Sequence, residues 1–264
     1  IRNYYAVFIK MQPIITSVNN PLIKELRALK ERKYRRRSGC FLIEGRRLIE
    51  DAVRNGIKPE LLLVQDDRTE EFALLSEQCL QTAAVSRAVL ESLCLTEAPE
   101  GAVAKVRIPQ EMPEGDGSLV LVLDGLQDPG NMGTIIRTAN AAGIRDLYFL
   151  GENVDMFNPK TVRSAMGAVF FVHPHCFGDA RELYEHLKER GYCVCVTALS
   201  QKDYYSQQLP KKIALVMGNE GNGVSRESLE QADRLLTLPM SPEAESLNVA
   251  VCAGILIFDI LYRR

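Results

Sequence analysis

The sequence has no tryptophan, no C-x-x-C pair and no apolar run long enough to cross a bilayer. The missing tryptophan removes one residue that stacks on bases but excludes no function. Without C-x-x-C spacing, a structural zinc site has no support, and no metal is expected. Seven cysteines, an odd number, are scattered through 264 residues. They read as small buried apolar residues in a reducing compartment. The nearest pair, Cys193 and Cys195, lies in an apolar run, where side-chain alternation along a strand is read as making the two thiols diverge. The most apolar segment, 249–262, contains Asp259 and falls short of the roughly 18–20 residues needed for a membrane span. Residues 1–10 are apolar but lack a small-residue cleavage site. Met11 is a candidate start, with the first ten residues upstream of the native chain. A cytoplasmic protein is the expectation.

Hydrophobic residues make up 46% and charged residues 25%, an ordinary globular balance that argues against disorder. The length suits one large or two modest domains. The net charge of −2 is unevenly spread, at +4 over residues 1–110 and −6 over 111–264. The positive excess gathers in residues 24–37, where Lys24, Arg27, Lys30, Arg32, Lys33, Arg35, Arg36 and Arg37 face only Glu25 and Glu31. Such a run is either a solvated helix end or a surface for nucleic-acid phosphates, whose binding weakens steeply with salt.

Residues 109–118 (PQEMPEGDGS) read as a linker. Ahead of it, Asn20 is a plausible N-cap with Pro21 at the first helical position, opening a helix to about Lys33. Short strands are expected at 41–44 and 61–64, with a helix over 45–55 between them. Beyond the linker, the run 119–123 is continuously apolar, as in a strand buried on both faces. A helix from about Met132 to Ala142 should follow. Further strands are expected at 147–150, 169–172, 192–197, 213–217 and 235–238. Helices are expected at 159–167, 180–190 and 247–262. This alternation implies an α/β protein with a mainly parallel sheet. The last helix is apolar nearly all round, so it should be buried in the core or against a partner.

Three loops each follow an apolar strand, and ligands of open α/β sheets bind beyond the carboxyl ends of strands. The first, D-G-L-Q-D-P-G-N-M-G-T-I-I-R, runs from Asp124 to Arg137. Asn131 could cap its helix, whose N-terminus would offer N–H groups to an anion. A capped turn with a solvated Arg137 would also explain it, and it is neither G-x-G-x-x-G nor a Walker loop. The second, M-G-N-E-G-N-G-V-S, runs from Met217 to Ser225, and its glycines favour a backbone approaching a ligand closely. Glu220 there could simply be solvated. In the third, running from Leu238 to Ala250, Ser246 could cap the last helix and Asn248 would lie in its first turn.

Taken together and in order, N-x-G-x-x-x-R-T-A, G-N-E-G-x-G and S-L-N-V-A resemble the three motifs of the SpoU (TrmH-like) RNA ribose 2′-O-methyltransferases of the SPOUT superfamily. The match covers about residues 119–262. The front part, with V-N-N-P-L-I-K at 18–24 and F-L-I-E-G at 41–45, is similar to the L30e-like substrate-binding domain ahead of that domain in many members. The resemblance implies an L30e-like domain at 11–108, a linker at 109–117 and a methyltransferase domain at 118–264 with a deep trefoil knot, a topology that general chain rules would not suggest. It implies S-adenosylmethionine as cofactor, structured RNA as substrate, 23S ribosomal RNA before transfer RNA, and a homodimer packed through the terminal helices. Arg137 matches the catalytic arginine, with Asn131, Glu220, Ser246 and Asn248 as the other active-site residues. Thr197, Ala198, Leu199, Met217, Gly218, Asn219, Gly221, Leu238, Pro239, Met240, Leu247 and Ala250 fall where the cofactor is held. Lys24, Arg27, Arg32, Lys33, Arg35, Arg36 and Arg37 are the RNA-contact candidates. Arg163 and Ser164 lie in a further family-like segment to which no role attaches.

A poorly acidic 2′-hydroxyl needs its proton accepted or its charge offset. Arginine normally stays protonated, so Arg137 is expected to stabilise the developing alkoxide and hold an RNA phosphate. Glu220 and Asn248 would orient Arg137 or the ribose. Two competing readings stand beside this one: an RNA-binding or ribosome-assembly protein without catalysis, and a dinucleotide-dependent oxidoreductase, which lacks its glycine fingerprint here.

Overall fold

In the computed structural model, residues 13–96, 98–109, 113–198 and 204–263 are described. The 1–10 segment and Leu199 therefore lie outside the described residues. The chain divides into two compact units, Ile1–Pro109 with Phe157–Phe170, and Gln110–Met156 with Phe171–Arg264.

In chain order, the first unit contains α1 (Pro21–Ala28), α2 (Arg32–Ser38), β1 (Cys40–Glu44), α3 (Arg46–Arg54), β2 (Leu61–Gln65), α4 (Ala73–Ser76), β3 (Thr82–Val85), α5 (Arg87–Leu93) and β4 (Ala102–Arg107). Its sheet runs β1-β4-β2-β3. β4 is antiparallel to both neighbours, and β2 is parallel to β3. Ile23 and Leu26 of α1 and Val89, Leu90 and Leu93 of α5 close over Leu42, Leu63 and Val103 to make the core. The later segment contributes α7 (Pro159–Ala165).

Asn20 does cap α1, its side chain accepting from the Leu22 amide with Pro21 following. The single helix expected to Lys33 is instead two. Glu31 adopts an extended backbone between them. Arg35 explains how the break is held. It is buried (1% exposed), and its guanidinium Nη1 donates to the carbonyls of Leu29 and Lys30, both at 2.8 Å. The carbonyls left open where α1 stops are thus taken by an arginine from the next helix. Arg35 therefore leaves the list of RNA contacts. Arg27 is also engaged, with Nη2 donating to Val18 O and Ser92 Oγ. Lys24, Arg32, Lys33, Arg36 and Arg37 remain exposed.

The second unit contains β5 (Leu119–Asp124), α6 (Pro129–Ala141), β6 (Asp146–Leu150), β7 (His173–Phe177), α8 (Ala180–Glu189), β8 (Cys193–Thr197), β9 (Ile213–Met217), α9 (Arg226–Glu230), β10 (Arg234–Leu236) and α10 (Val249–Tyr262). The six strands are ordered β10-β8-β9-β5-β6-β7, and every pairing is parallel. Strand order reverses between β5 and β9, the crevice where such sheets take ligands. The strand expected at 169–172 is a correction: Ala168–Phe170 forms a 3₁₀ turn, and the less apolar β7 pairs with β6 instead. Pro174 is tolerated there because β7 is an edge strand. Residues 113–117 are tied to this unit, with Gly115 N donating to Asp146 Oδ2 at 3.0 Å and Tyr192 OH to Gly117 O at 2.7 Å.

The cysteine expectations also change. Residues two apart on a strand share a face, and the Cys193 and Cys195 sulfurs lie 3.9 Å apart. Cys176 is exposed rather than buried. Among the described residues no helix is long and apolar enough to cross a membrane, and no cluster of three His, Cys, Asp or Glu could hold a metal ion. The last helix is buried on one side only. Ala253, Leu256, Ile257 and Ile260 face inward, while Val251, Ile255, Phe258 and Tyr262 are exposed.

The two neighbouring arginines make opposite predictions. Arg35→Ala should lower unfolding free energy by about 2–4 kcal/mol, through lost packing and two orphaned carbonyls. Arg36→Ala should stay within about 0.5 kcal/mol of wild type. Urea denaturation of both variants separates them, and equal effects would contradict the helix-break role.

Candidate active site

The loop after β5 turns into α6 earlier than the glycines suggested. Asp128, not Asn131, is the N-cap; its Oδ1 accepts from the Asn131 amide at 2.7 Å. The donors before the helix are also taken. Gln127 N and Asp128 N donate to the two carboxylate oxygens of Glu220, each at 3.2 Å. The helix terminus that could have bound a free anion therefore holds one supplied by the chain itself.

Glu220 sits in the loop after β9, which closes on itself. Asn219 N donates to Gly223 O at 2.7 Å and Gly223 N to Asn219 O at 2.9 Å. The Asn219 side chain accepts from Gly221 N and Asn222 N and donates to Gly125 O at 2.9 Å. Gly218 is required at the throat of this loop, where a Cβ would lie 2.3 Å from Val224 N and 2.4 Å from Gly223 C. The loop's far end is anchored on β5. Buried Asp124 accepts from Ser225 N and Ser228 Oγ, both at 2.7 Å.

The third loop joins through Asn248. Asn248, not Ser246, caps α10, its Oδ1 accepting from Ala250 N and Val251 N. Its Nδ2 donates to Asn131 Oδ1 at 2.9 Å, and Asn131 Nδ2 donates to Glu220 Oε1 at 3.1 Å. One chain of hydrogen bonds, Asn248 to Asn131 to Glu220, thus ties all three loops together. Burial alone would push the Glu220 carboxyl up, but the Asn131 amide and the backbone amides of Glu220, Gln127 and Asp128 outweigh it and hold the group below the usual carboxylate range. A carboxylate so held is a poor base and a good anchor.

Beside this network lies a cavity of about 630 Å³, within the roughly 300–1,000 Å³ of small-molecule sites. Of the expected cofactor residues, Thr197, Ala198, Met217, Gly218, Asn219, Gly221, Leu238, Met240 and Leu247 line it, and so do Asn131, Glu220, Ser246 and Asn248. Pro239 and Ala250 are not among the lining residues. Thr237, Glu245 and Cys252 line it and were not anticipated. The Thr197 and Thr237 hydroxyls are spent on the Val216 and Ala198 carbonyls, fixing the ends of β8 and β10. Arg137 stands apart from the cavity wall. It is exposed on α6, about 9 Å along the axis from Asn131 at ~1.5 Å per residue. Its side chain makes no hydrogen bond or ion pair among the described residues, so Glu220 holds the first loop rather than Arg137. The apolar floor (Met217, Leu238, Leu247), with Glu245 and Ser246 also on the lining, suits a ligand with an apolar ring and a polar tail.

Residues 118–258 match the SpoU rRNA Methylase family, and residues 20–104 match the MRM3-like substrate binding domain. The chain is 38% identical over 250 residues to the 23S rRNA (guanosine(2553)-2′-O)-methyltransferase RlmP of Bacillus subtilis, covering 93% of this chain and 98% of that one. Among solved structures, the AdoMet-bound rRNA methyltransferase from Sinorhizobium meliloti aligns with a TM-score of 0.83 and 31% identity, covering 94% and 96% of the two chains. The SpoU methyltransferase AviRb from Streptomyces viridochromogenes in complex with AdoMet aligns at 0.84 with 27% identity, covering 93% and 98%.

A depressed carboxyl stabilises the folded chain above its ordinary value of 4.5, and that contribution fades as pH falls through the lower folded value. Wild type should therefore exceed Glu220→Gln in stability above the ordinary carboxyl value of 4.5 and lose that margin progressively as pH falls below it. Urea midpoints at stepped pH read the difference, and a margin independent of pH would remove the carboxylate from the tie.

Proposed function

The chain belongs to the SpoU rRNA methylase family, and from that membership we propose how its residues carry a methyl group to an RNA ribose. It is an S-adenosylmethionine-dependent RNA 2′-O-ribose methyltransferase. Its target is 23S ribosomal RNA, as in the RlmP relative. The observation that carries the site assignment is the closure of three loops by Asn248, Asn131 and Glu220 beside the 630 Å³ cavity.

When bound, S-adenosylmethionine supplies a methyl group activated by its sulfonium. The apolar floor at Met217, Leu238 and Leu247 would receive the adenine. Placing donor and acceptor in line is worth much of the barrier, since the methyl is already reactive. Arg137 offsets charge developing on the ribose 2′-oxygen and pairs with a neighbouring RNA phosphate, its guanidinium having no hydrogen-bond or ion-pair partner among the described residues. Glu220 is a positioning residue that sets the loop carrying Asn131, while Ser246 and Asn248 shape the mouth of the site. Lys24, Arg32, Lys33, Arg36 and Arg37 gather the RNA backbone.

The finer organisation follows the family. Residues 11–108 act as the substrate-binding domain, 109–117 as linker and 118–264 as the methyltransferase domain with a deep trefoil knot. A homodimer forms through α10, supported by the exposed stripe Val251, Ile255, Phe258 and Tyr262. The protein works in the cytoplasm, in keeping with its free cysteines.

The test is transfer of labelled methyl from S-adenosylmethionine to separate pools of unmodified ribosomal and transfer RNA, followed by alkaline hydrolysis. Label should appear in alkali-stable dinucleotides from the ribosomal pool; label confined to transfer RNA would reassign the substrate. Arg137→Lys should lose about 10²–10³-fold in kcat with cofactor Kd nearly unchanged, whereas near-normal turnover would strip Arg137 of its role. Ile255→Glu with Phe258→Glu should sediment as a monomer at concentrations where wild type is dimeric.

A further inference from the structure

The first unit holds a second cavity, of about 260 Å³, bounded by β1, α3, α5 and α7. It is well short of the size of the candidate active-site cavity and suits a single planar base. Its walls are apolar, with Leu42, Leu48 and Val162 among them. Two arginines stand at it, Arg47 at the start of α3 and Arg163 on α7. Both are exposed, and neither side chain makes a hydrogen bond or ion pair among the described residues. Arg163 belongs to the sequence segment left without a role above. Met166, at the C-cap of α7, also lines the cavity, and it is the non-glycine residue with positive φ (50°) among those described. Held in a conformation that favours glycine, it keeps an exposed side chain at the cavity edge.

The charges decide what would fit. A site for phosphate alone would avoid carboxylates, yet Glu44 and Glu100 both line this cavity. Each is fixed in place by a backbone amide: Leu95 N donates to Glu44 Oε2 at 2.7 Å, and Arg46 N donates to Glu100 Oε2 at 3.1 Å. Lys30 pins the opposite wall through the Ser92 and Cys94 carbonyls. Acceptors among apolar walls, with exposed guanidinium groups beside them, are what an unstacked nucleobase requires: a plane to stack on, a cation for its phosphate and acceptors for its edge. Guanine presents two adjacent donors, N1–H and N2–H, to a carboxylate, and no other standard base does.

We propose that this cavity binds an unpaired guanine of the substrate RNA, stacked by Arg47 and Arg163 and read by Glu44 and Glu100. The inference rests on the RNA-methyltransferase reading for its substrate class and assigns a recognition site separate from the transferring one.

The test uses the full chain and four fluorescent RNA hairpins identical except for one unpaired loop nucleotide, G, A, C or U, with affinities read by anisotropy. Wild type should bind the G hairpin roughly tenfold more tightly than the other three. Arg47→Ala with Arg163→Ala should weaken all four and reduce the G preference. Glu44→Gln with Glu100→Gln, which keeps acceptors for the two amides, should erase the preference while leaving the other three affinities in place. Equal binding of the four hairpins by wild type would overturn the proposal, as would an unaltered G preference in either double variant. Methyl transfer assayed on the same wild-type preparation separates the two readings. A G preference without transfer would leave this site standing and sink the enzymatic reading; transfer without a G preference would do the reverse.

Discussion

The carboxylate of Glu220 is the interaction on which the architecture of the candidate site depends. Three loops leave the carboxyl ends of parallel strands, and each is too polar to hold a shape by burying apolar surface, the first two being rich in glycine as well. What fixes them is an anion placed at the start of α6, where the helix dipole and unpaired amides favour it. Gln127 and Asp128 donate to it from the backbone and Asn131 from its side chain. The third loop reaches the same point through Asn248. Charge-assisted hydrogen bonds are roughly twice as strong as neutral ones, so a single carboxylate can organise segments that packing alone would leave loose.

The remaining constraints make that carboxylate's position unique. Gly218 admits no side chain because the returning chain at Gly223 and Val224 occupies the space. Asp124, at the end of the central strand, receives the loop's exit through Ser225 and Ser228, and Ser228 in turn meets Tyr184 at 2.6 Å. Entry and exit of the loop are therefore pinned to β9 and β5, the two strands between which the sheet order reverses. Arg137, exposed on α6, makes no hydrogen bond or ion pair among the described residues and stands outside this web.

The sheet of the second unit was legible because β5 and β9 are unbroken apolar runs, a pattern that needs burial on both faces. The site was legible as motif order, since asparagine and acid recur in the loops after β5, β9 and β10, with glycine in the first two. Individual roles were less so. Asn131 and Ser246 both have the chemistry of a cap, and the sequence alone could not show that Asp128 and Asn248 take those places three residues earlier and two residues later. Arg35 is indistinguishable from Arg36 in a basic run, because its burial depends on where Leu29 and Lys30 end the preceding helix. The strands Thr82–Val85 and Ala102–Arg107 escaped notice, being short and rich in alanine, a residue depleted in strands. The edge strand at His173 was displaced in expectation by the more apolar residues just before it, which turn instead.

The pairing of Leu119 with Ile213 has a consequence for the birth of the protein. The central strand acquires one of its two neighbours only when a segment about ninety residues further along has left the ribosome. At about 5–20 residues per second that is a wait of roughly 5–20 s. During it, the apolar run 119–123 of β5 has a bare edge, and long-range parallel pairing is among the slowest events in folding. The nascent chain thus spends seconds with its most hydrophobic strand half-sheltered, a window in which chaperone occupancy rather than final stability would set the yield of active enzyme.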